Sequence, residues 1–262
     1  MNLDLSNRTA LVCGASQGLG AAVAKELALL GTNIILLART EINLKNVQSE
    51  LDISKGQKHQ YIIADTSKPL ELIEKVKSYL VKGNPIDILV NNSGGPAAGQ
   101  LLNTDFTEME VAFQSHLKVS HLLAQLVVPG MKERRFGRII NIVSTSIKQP
   151  INGLGISNTI RAAVANWAKT LANEIGEYGI TVNNLLPGYT NTDRLDYLFN
   201  KQADIAQVSK AEIVRRTLEL IPAGRLGEPH EFGAAVAFLC SPAAAYINGI
   251  NLPVDGGRLG TL

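Results

Sequence analysis

The sequence predicts an α/β fold: one doubly wound domain in which a seven-stranded parallel sheet carries helices on both faces. Three observations predict it. Short apolar, β-branched runs alternate with longer helical stretches. Most intervals between the runs suit the crossovers of a dozen or more residues that parallel strands need. No Pro-, Gly- or Ser-rich linker and no internal repeat divides the 262 residues. The predicted strands are 9–13, 33–38, 60–64, 86–91, 138–144, 181–186 and 250–254. One interval stands apart: 193–228 is polar and helix-prone without an intervening strand, and it reads as a lid or substrate loop inserted into a domain spanning 1–262.

Bulk properties narrow the function. Hydrophobic residues make up 45% and charged residues 18%, an ordinary globular balance. Net charge is only +2, and the single basic cluster, Lys132-Glu133-Arg134-Arg135, reads as a solvated helix end, so no nucleic-acid partner is expected. Cys13 and Cys240 lie far apart in apolar segments, which offers neither a disulfide framework nor a metal spacing. The start, Met1-Asn2-Leu3-Asp4-Leu5, has neither a basic stretch nor an apolar run, and no segment reaches the ~18 apolar residues of a membrane span. A cytoplasmic protein without a membrane partner or a metal is expected.

The first strand runs straight into Gly14-Ala15-Ser16-Gln17-Gly18-Leu19-Gly20 and then an alanine-rich helix. Gly14 permits a tight turn, while Gly18 and Gly20 let backbone and helix approach closely. The helix N-terminus then offers free N–H donors and a favourable dipole to a pyrophosphate.

With this turn as its start, the chain resembles the short-chain dehydrogenase/reductase family along nearly its whole length, and the resemblance implies a single Rossmann domain. Asp65 after the third strand matches the family's adenine contact. Asn91-Asn92-Ser93-Gly94 after the fourth is similar to its Asn-Asn-Ala-Gly. Pro187-Gly188 and Thr192 match its nicotinamide-side loop. The segment from Ile221 to Pro229, with the terminal Asp255-Gly256-Gly257, points to the 3-oxoacyl-(acyl-carrier-protein) reductase branch. Where NAD-specific sites place an acid at the end of the second strand, this chain has Ala38 followed by Arg39, whose guanidinium can pair with a 2′-phosphate, and Ser16 can add a hydroxyl donor. NADP(H) is therefore expected in preference to NAD(H).

In the family a serine hydrogen-bonds the substrate carbonyl and a tyrosine donates the proton. A lysine lowers the tyrosine's pKa and holds the nicotinamide ribose, and an asparagine supports a relay water. The resemblance gives Ser144 the serine's role. It puts Ser157 in the tyrosine's place, Arg161 in the lysine's and His116 in the asparagine's, a divergent Ser-x-x-x-Arg pattern. No gap rescues the tyrosine, because none lies between Tyr79 and Tyr178; a literal Tyr-x-x-x-Lys at Tyr197–Lys201 falls in the lid interval. A serine hydroxyl is a far weaker acid than a phenol titrating near ~10. Arg161 can grip ribose hydroxyls but stays charged. His116, with a reference pKa near ~6.5, is the best replacement acid by titration, and Tyr189 is a second candidate.

Three readings stay open on these residues. The first is transfer of hydride between NADP(H) and a carbonyl or secondary alcohol, with a small-molecule carbonyl substrate such as an acyl thioester. The second is a non-catalytic NADP(H)-binding sensor or scaffold subunit. The third is unrelated chemistry on the same fold. The resemblance also implies a homotetramer, built partly on the small-residue helix 158–174 with Ala162, Ala163, Ala165, Ala168 and Ala172.

Overall fold

Every residue of β1 (Thr9–Cys13) is buried, as is all but the first of β2 (Asn33–Ala38). Strands apolar on both faces belong in the middle of a sheet covered on both sides. The computed structural model, which describes residues 1–261, builds such a sheet. The remaining strands are β3 (Gln60–Ile63), β4 (Ile88–Asn91), β5 (Gly137–Ile142), β6 (Ile180–Pro187) and β7 (Asn251–Val254). Their order is β3-β2-β1-β4-β5-β6-β7, and every neighbouring pair is parallel.

Side-chain alternation divides the core in two. Ala10, Val12, Ile34, Leu36, Val90 and Ile140 face one side, where they meet α1 (Gly18–Leu29), α2 (Glu41–Ser49) and α9 (Pro229–Cys240). Leu11, Cys13, Ile35, Leu37, Leu89 and Ile139 face the other, against α3 (Pro69–Leu80), α5 (Val119–Arg134) and α6 (Gly155–Ile175). The predicted doubly wound sheet is thus the observed one. Both cysteines are buried and free, and burial pushes each thiol up to about 12.

Most strand ends lie within one residue of the prediction, and the two that differ by two residues do so for local reasons. The fourth strand starts at Ile88 because Asp87 is held at the sheet's lower end: its carboxylate accepts from the Thr9 N–H at 3.1 Å and from Arg134 Nε at 2.8 Å. The fifth stops at Ile142, before Ser144. The Ser144 Oγ accepts from the Ser146 N–H at 3.1 Å and turns the chain into one 3₁₀ turn, Thr145–Ile147.

The interval 193–228 forms α7 (Asp193–Ala206) and α8 (Lys210–Leu218), packed on each other through Leu195, Phe199, Ala203 and Ile213. The helix predicted at 158–174 is longer, and its small residues divide. Ala165, Ala168 and Ala172 are buried in the core, while Ala162 and Ala163 are exposed. Between α4 (Phe106–Phe113) and α5 the chain makes one π-helical turn, Gln114–Lys118, which directs His116 inward. No helix among the described residues is long and apolar enough to cross a membrane.

Candidate functional site

Strand order reverses between β1 and β4, opening a crevice at their carboxyl ends, the place where ligands bind such sheets. The glycine turn fills its floor. Gly14 adopts φ +60°, and a Cβ on Gly20 would lie 2.2 Å from the Gly14 carbonyl oxygen, so only glycine allows α1 to start this close to β1. Asn92 Nδ2 donates to the same Gly14 oxygen at 3.2 Å, tying the turn to β4.

The N-terminus of α1 is left open. Its N-cap residue, Gln17, makes no side-chain cap bond, and no acid stands in the first turn. Asp105, Thr192 and Ser209 cap α4, α7 and α8 with their own oxygens, while α2, α3 and α6, like α1, have no side-chain cap. Free N–H donors at α1 fit an anion such as a pyrophosphate. Thr192 lies beside Gly18, and Gly188 donates to the Val254 carbonyl at 3.0 Å, which anchors the Pro187-Gly188 loop on β7. A cleft of about 450 Å³ runs alongside, lined in part by Gln17, Gly18, Asn191 and Thr192. Arg39 is exposed at the end of β2, while Ser16 and Leu19 are half-buried in the turn. The Asp65 carboxylate accepts from the Ser67 N–H at 2.9 Å, which fixes the loop after β3.

Across the crevice lies a feature that sequence reasoning missed. Asn91, Asn141, Asn184 and Asn251 stand in register on β4, β5, β6 and β7. Each amide Nδ2 donates to the next Oδ1, at 2.9, 2.9 and 2.8 Å. The ladder ends at Asn91 Oδ1, a buried acceptor without a partner, beside a cavity of about 20 Å³. The available signal was an asparagine in each of four largely apolar strands. A buried amide there is costly unless paired.

That cavity gathers Asn91, Ser93, His116, Asn141 and Arg161. The Arg161 guanidinium is anchored by three donations: Nη1 to the Ile142 and Val143 carbonyls at 3.0 and 2.8 Å, and Nε to Ser157 Oγ at 3.2 Å. Burial lowers its pKa to about 10, so it remains a cation at neutral pH. Since Ser157 Oγ accepts from a guanidinium, its own O–H is left to donate, and it is polarised by the charge. Ser144 is in the same position: its oxygen accepts from Ser146, leaving its O–H free.

His116 lines the same cavity. It is 7% exposed and its Nδ1 shares a hydrogen bond of 2.8 Å with Ser93 Oγ. Burial first, and then the Arg161 charge, push its pKa down to about 3, against a backbone hydrogen bond at Gly94 that favours the cation. It is a neutral imidazole at neutral pH and not an acid poised near 6.5. Because the unfolded chain takes up this proton first, His116 lowers stability as pH falls from ~6.5 towards 3, by up to about 5 kcal/mol. His116→Gln is expected to flatten the stability profile over that window in denaturant titrations; an unchanged slope contradicts the assignment.

Tyr189 stacks on Phe199 of α7, with centroids 6.2 Å apart, and Arg258 lies 4.7 Å over its ring, so it forms a wall between loop and helix pair. Tyr197 and Lys201 lie on α7, with Tyr197 exposed. Among the described residues no three His, Cys, Asp or Glu side chains gather as a metal-ligand set.

Residues 14–258 match the family model described as enoyl-(acyl carrier protein) reductase. The 3-oxoacyl-(acyl-carrier-protein) reductase FabG of Vibrio cholerae is 34% identical over 258 residues, covering 97% of this chain and 98% of that protein. The NADPH-dependent reductase BacG of Bacillus subtilis is 30% identical over 97% of this chain and 99% of its own length. Among solved structures, L-sorbose reductase from Gluconobacter frateurii, complexed with NADPH and L-sorbose, superposes with a TM-score of 0.93 at 28% identity, covering both chains completely. Matched in sequence along almost its entire length and in fold throughout, the chain belongs to the short-chain dehydrogenase/reductase family.

Proposed function

We propose that the chain is an NADP(H)-dependent oxidoreductase that moves hydride between the nicotinamide and a carbonyl or secondary alcohol, with a 3-oxoacyl thioester as the substrate class. The observation that carries this reading is the uncapped N-terminus of α1 at the switch point of the sheet, with the exposed cation of Arg39 at the neighbouring strand end. The relatives support it: one is named an NADPH-dependent reductase, and one solved neighbour is complexed with NADPH.

Gly14, Ser16, Gln17, Gly18, Leu19 and Gly20 would hold the pyrophosphate, Arg39 the 2′-phosphate and Asp65 the adenine. Asn91, Ser93, Gly94, Pro187, Gly188 and Thr192 would line the nicotinamide half. When bound, the cofactor supplies the hydride. Ser144 donates its free O–H to the carbonyl oxygen, where negative charge develops. Arg161 orients the ribose with the guanidinium edge not used on Ile142 and Val143. Ser157, polarised by Arg161, passes a proton from water to that oxygen; the neutral His116 holds Ser93. The pair α7–α8, spanning most of 193–228, closes over the substrate through Tyr189. Exposed Ala162 and Ala163 on α6, beside α4, join copies into a tetramer, which light scattering in solution checks.

The assay is NADPH consumption with an acetoacetyl thioester. Turnover supports the reductase; tight NADPH binding with no turnover of this or other carbonyls supports the second reading, a non-catalytic NADP(H)-binding sensor or scaffold. One observation favours that second reading: the cavity holds no tyrosine and no titrating imidazole.

A further inference from the structure

The cavity beside Arg161 has an unbalanced charge. Its other lining side chains, Asn91, Asn92, Ser93, Asn141 and the neutral His116 among them, carry none at neutral pH. Arg161 forms no ion pair among the described residues, and three of its N–H groups serve only carbonyl and hydroxyl oxygens. Nη2 makes no hydrogen bond there and faces Gly95, where even an added Cβ would stand 3.7 Å away. A fixed positive charge is thus turned towards the crevice with no carboxylate to offset it.

The sheet determines which part of a dinucleotide meets that charge. A dinucleotide spans the crevice at the switch point, one mononucleotide on each side. The glycine turn and Arg39 belong to the β1–β2 side, which suits the phosphorylated adenosine. Arg161 is bolted to the carbonyls at the end of β5, on the opposite side, which leaves it with the redox half. The two redox states differ there by one charge: the oxidised ring is a cation and the reduced ring is neutral.

We infer that Arg161 lets this site discriminate the redox state of its cofactor by charge, binding NADPH more tightly than NADP⁺. This rests on the cofactor reading above. A partly desolvated like-charge contact is enough for a preference of about tenfold or more. It poises the protein for reduction if it is an enzyme, and makes it responsive to the NADPH/NADP⁺ ratio if it is a sensor.

Binding tests this without turnover. Dissociation constants for NADPH and NADP⁺ are measured by calorimetry on the natural protein and on Arg161→Met, Arg161→Lys and Arg39→Ala. Arg39→Ala weakens both forms by the same factor, because both carry the 2′-phosphate, and leaves their ratio unchanged. Arg161→Lys keeps the ratio, and Arg161→Met brings it towards one. Should methionine unfold the protein, as its melting temperature reports, Arg161→Gln takes its place. Equal affinities in the natural protein, or an undiminished ratio in a folded neutral variant, overturn the inference alone. Binding of neither form overturns the cofactor reading itself, and this inference with it.

Discussion

The Ser157→Tyr/Arg161→Lys protein is expected to reduce an acetoacetyl thioester with NADPH about 10²–10⁴-fold faster than the natural chain, the usual contribution of a positioned general acid. The two substitutions must be made together. Ser157 Oγ lies 3.2 Å from Arg161 Nε, and the adjoining cavity of about 20 Å³ is far smaller than a phenol. A tyrosine alone therefore collides with the guanidinium, whereas lysine gives up the fork and leaves an ammonium to lower the phenol's pKa. The single Ser157→Tyr variant should melt lower and gain nothing. Equal rates for the double variant and an active natural protein, in an initial-rate assay at saturating NADPH, contradict the view that the acid is what the natural site lacks.

Asn141→Leu should lower the unfolding free energy by about 2–6 kcal/mol, measured by denaturant titration. The substitution leaves two buried amide groups without partners, Asn91 Nδ2 and Asn184 Oδ1, each costing ~1–3 kcal/mol. Asn91 and Asn141 line the same cavity as Arg161, so a loosened ladder also moves the floor of the site. Loss of less than about 1 kcal/mol means the amides find other partners and the ladder is not a structural strut.

The sheet was legible because its determinants are local. Runs apolar on both faces, separated by helical lengths, have few solutions, and the glycine turn sits where a strand meets a helix. Ser144, Ser157, Arg161 and His116 are the sequence's candidates, and the structure brings Ser157, Arg161 and His116 to one locality. Their states were not. That His116 is a neutral imidazole depends on burial by the π-helical turn and on a cation 45 residues away in sequence. That Arg161 uses three donors on Ile142, Val143 and Ser157 depends on where β5 ends. The asparagine ladder depends on strand register, which no single segment encodes. The small residues of α6 looked alike in sequence, yet the core takes Ala165, Ala168 and Ala172 and leaves Ala162 and Ala163 outside.

On the proposed function, the crevice between β1 and β4 binds a nicotinamide dinucleotide through the open end of α1, with Arg39 selecting the 2′-phosphate. Fluorescence titration with NADPH and NADH, on the natural protein and on Arg39→Ala, checks this. NADPH should bind more tightly than NADH. Arg39→Ala should weaken NADPH by about 10–100-fold, equivalent to ~1.5–3 kcal/mol for a charge-assisted contact, and leave NADH unchanged. Failure to bind either dinucleotide, or an equal loss of both in the variant, contradicts it.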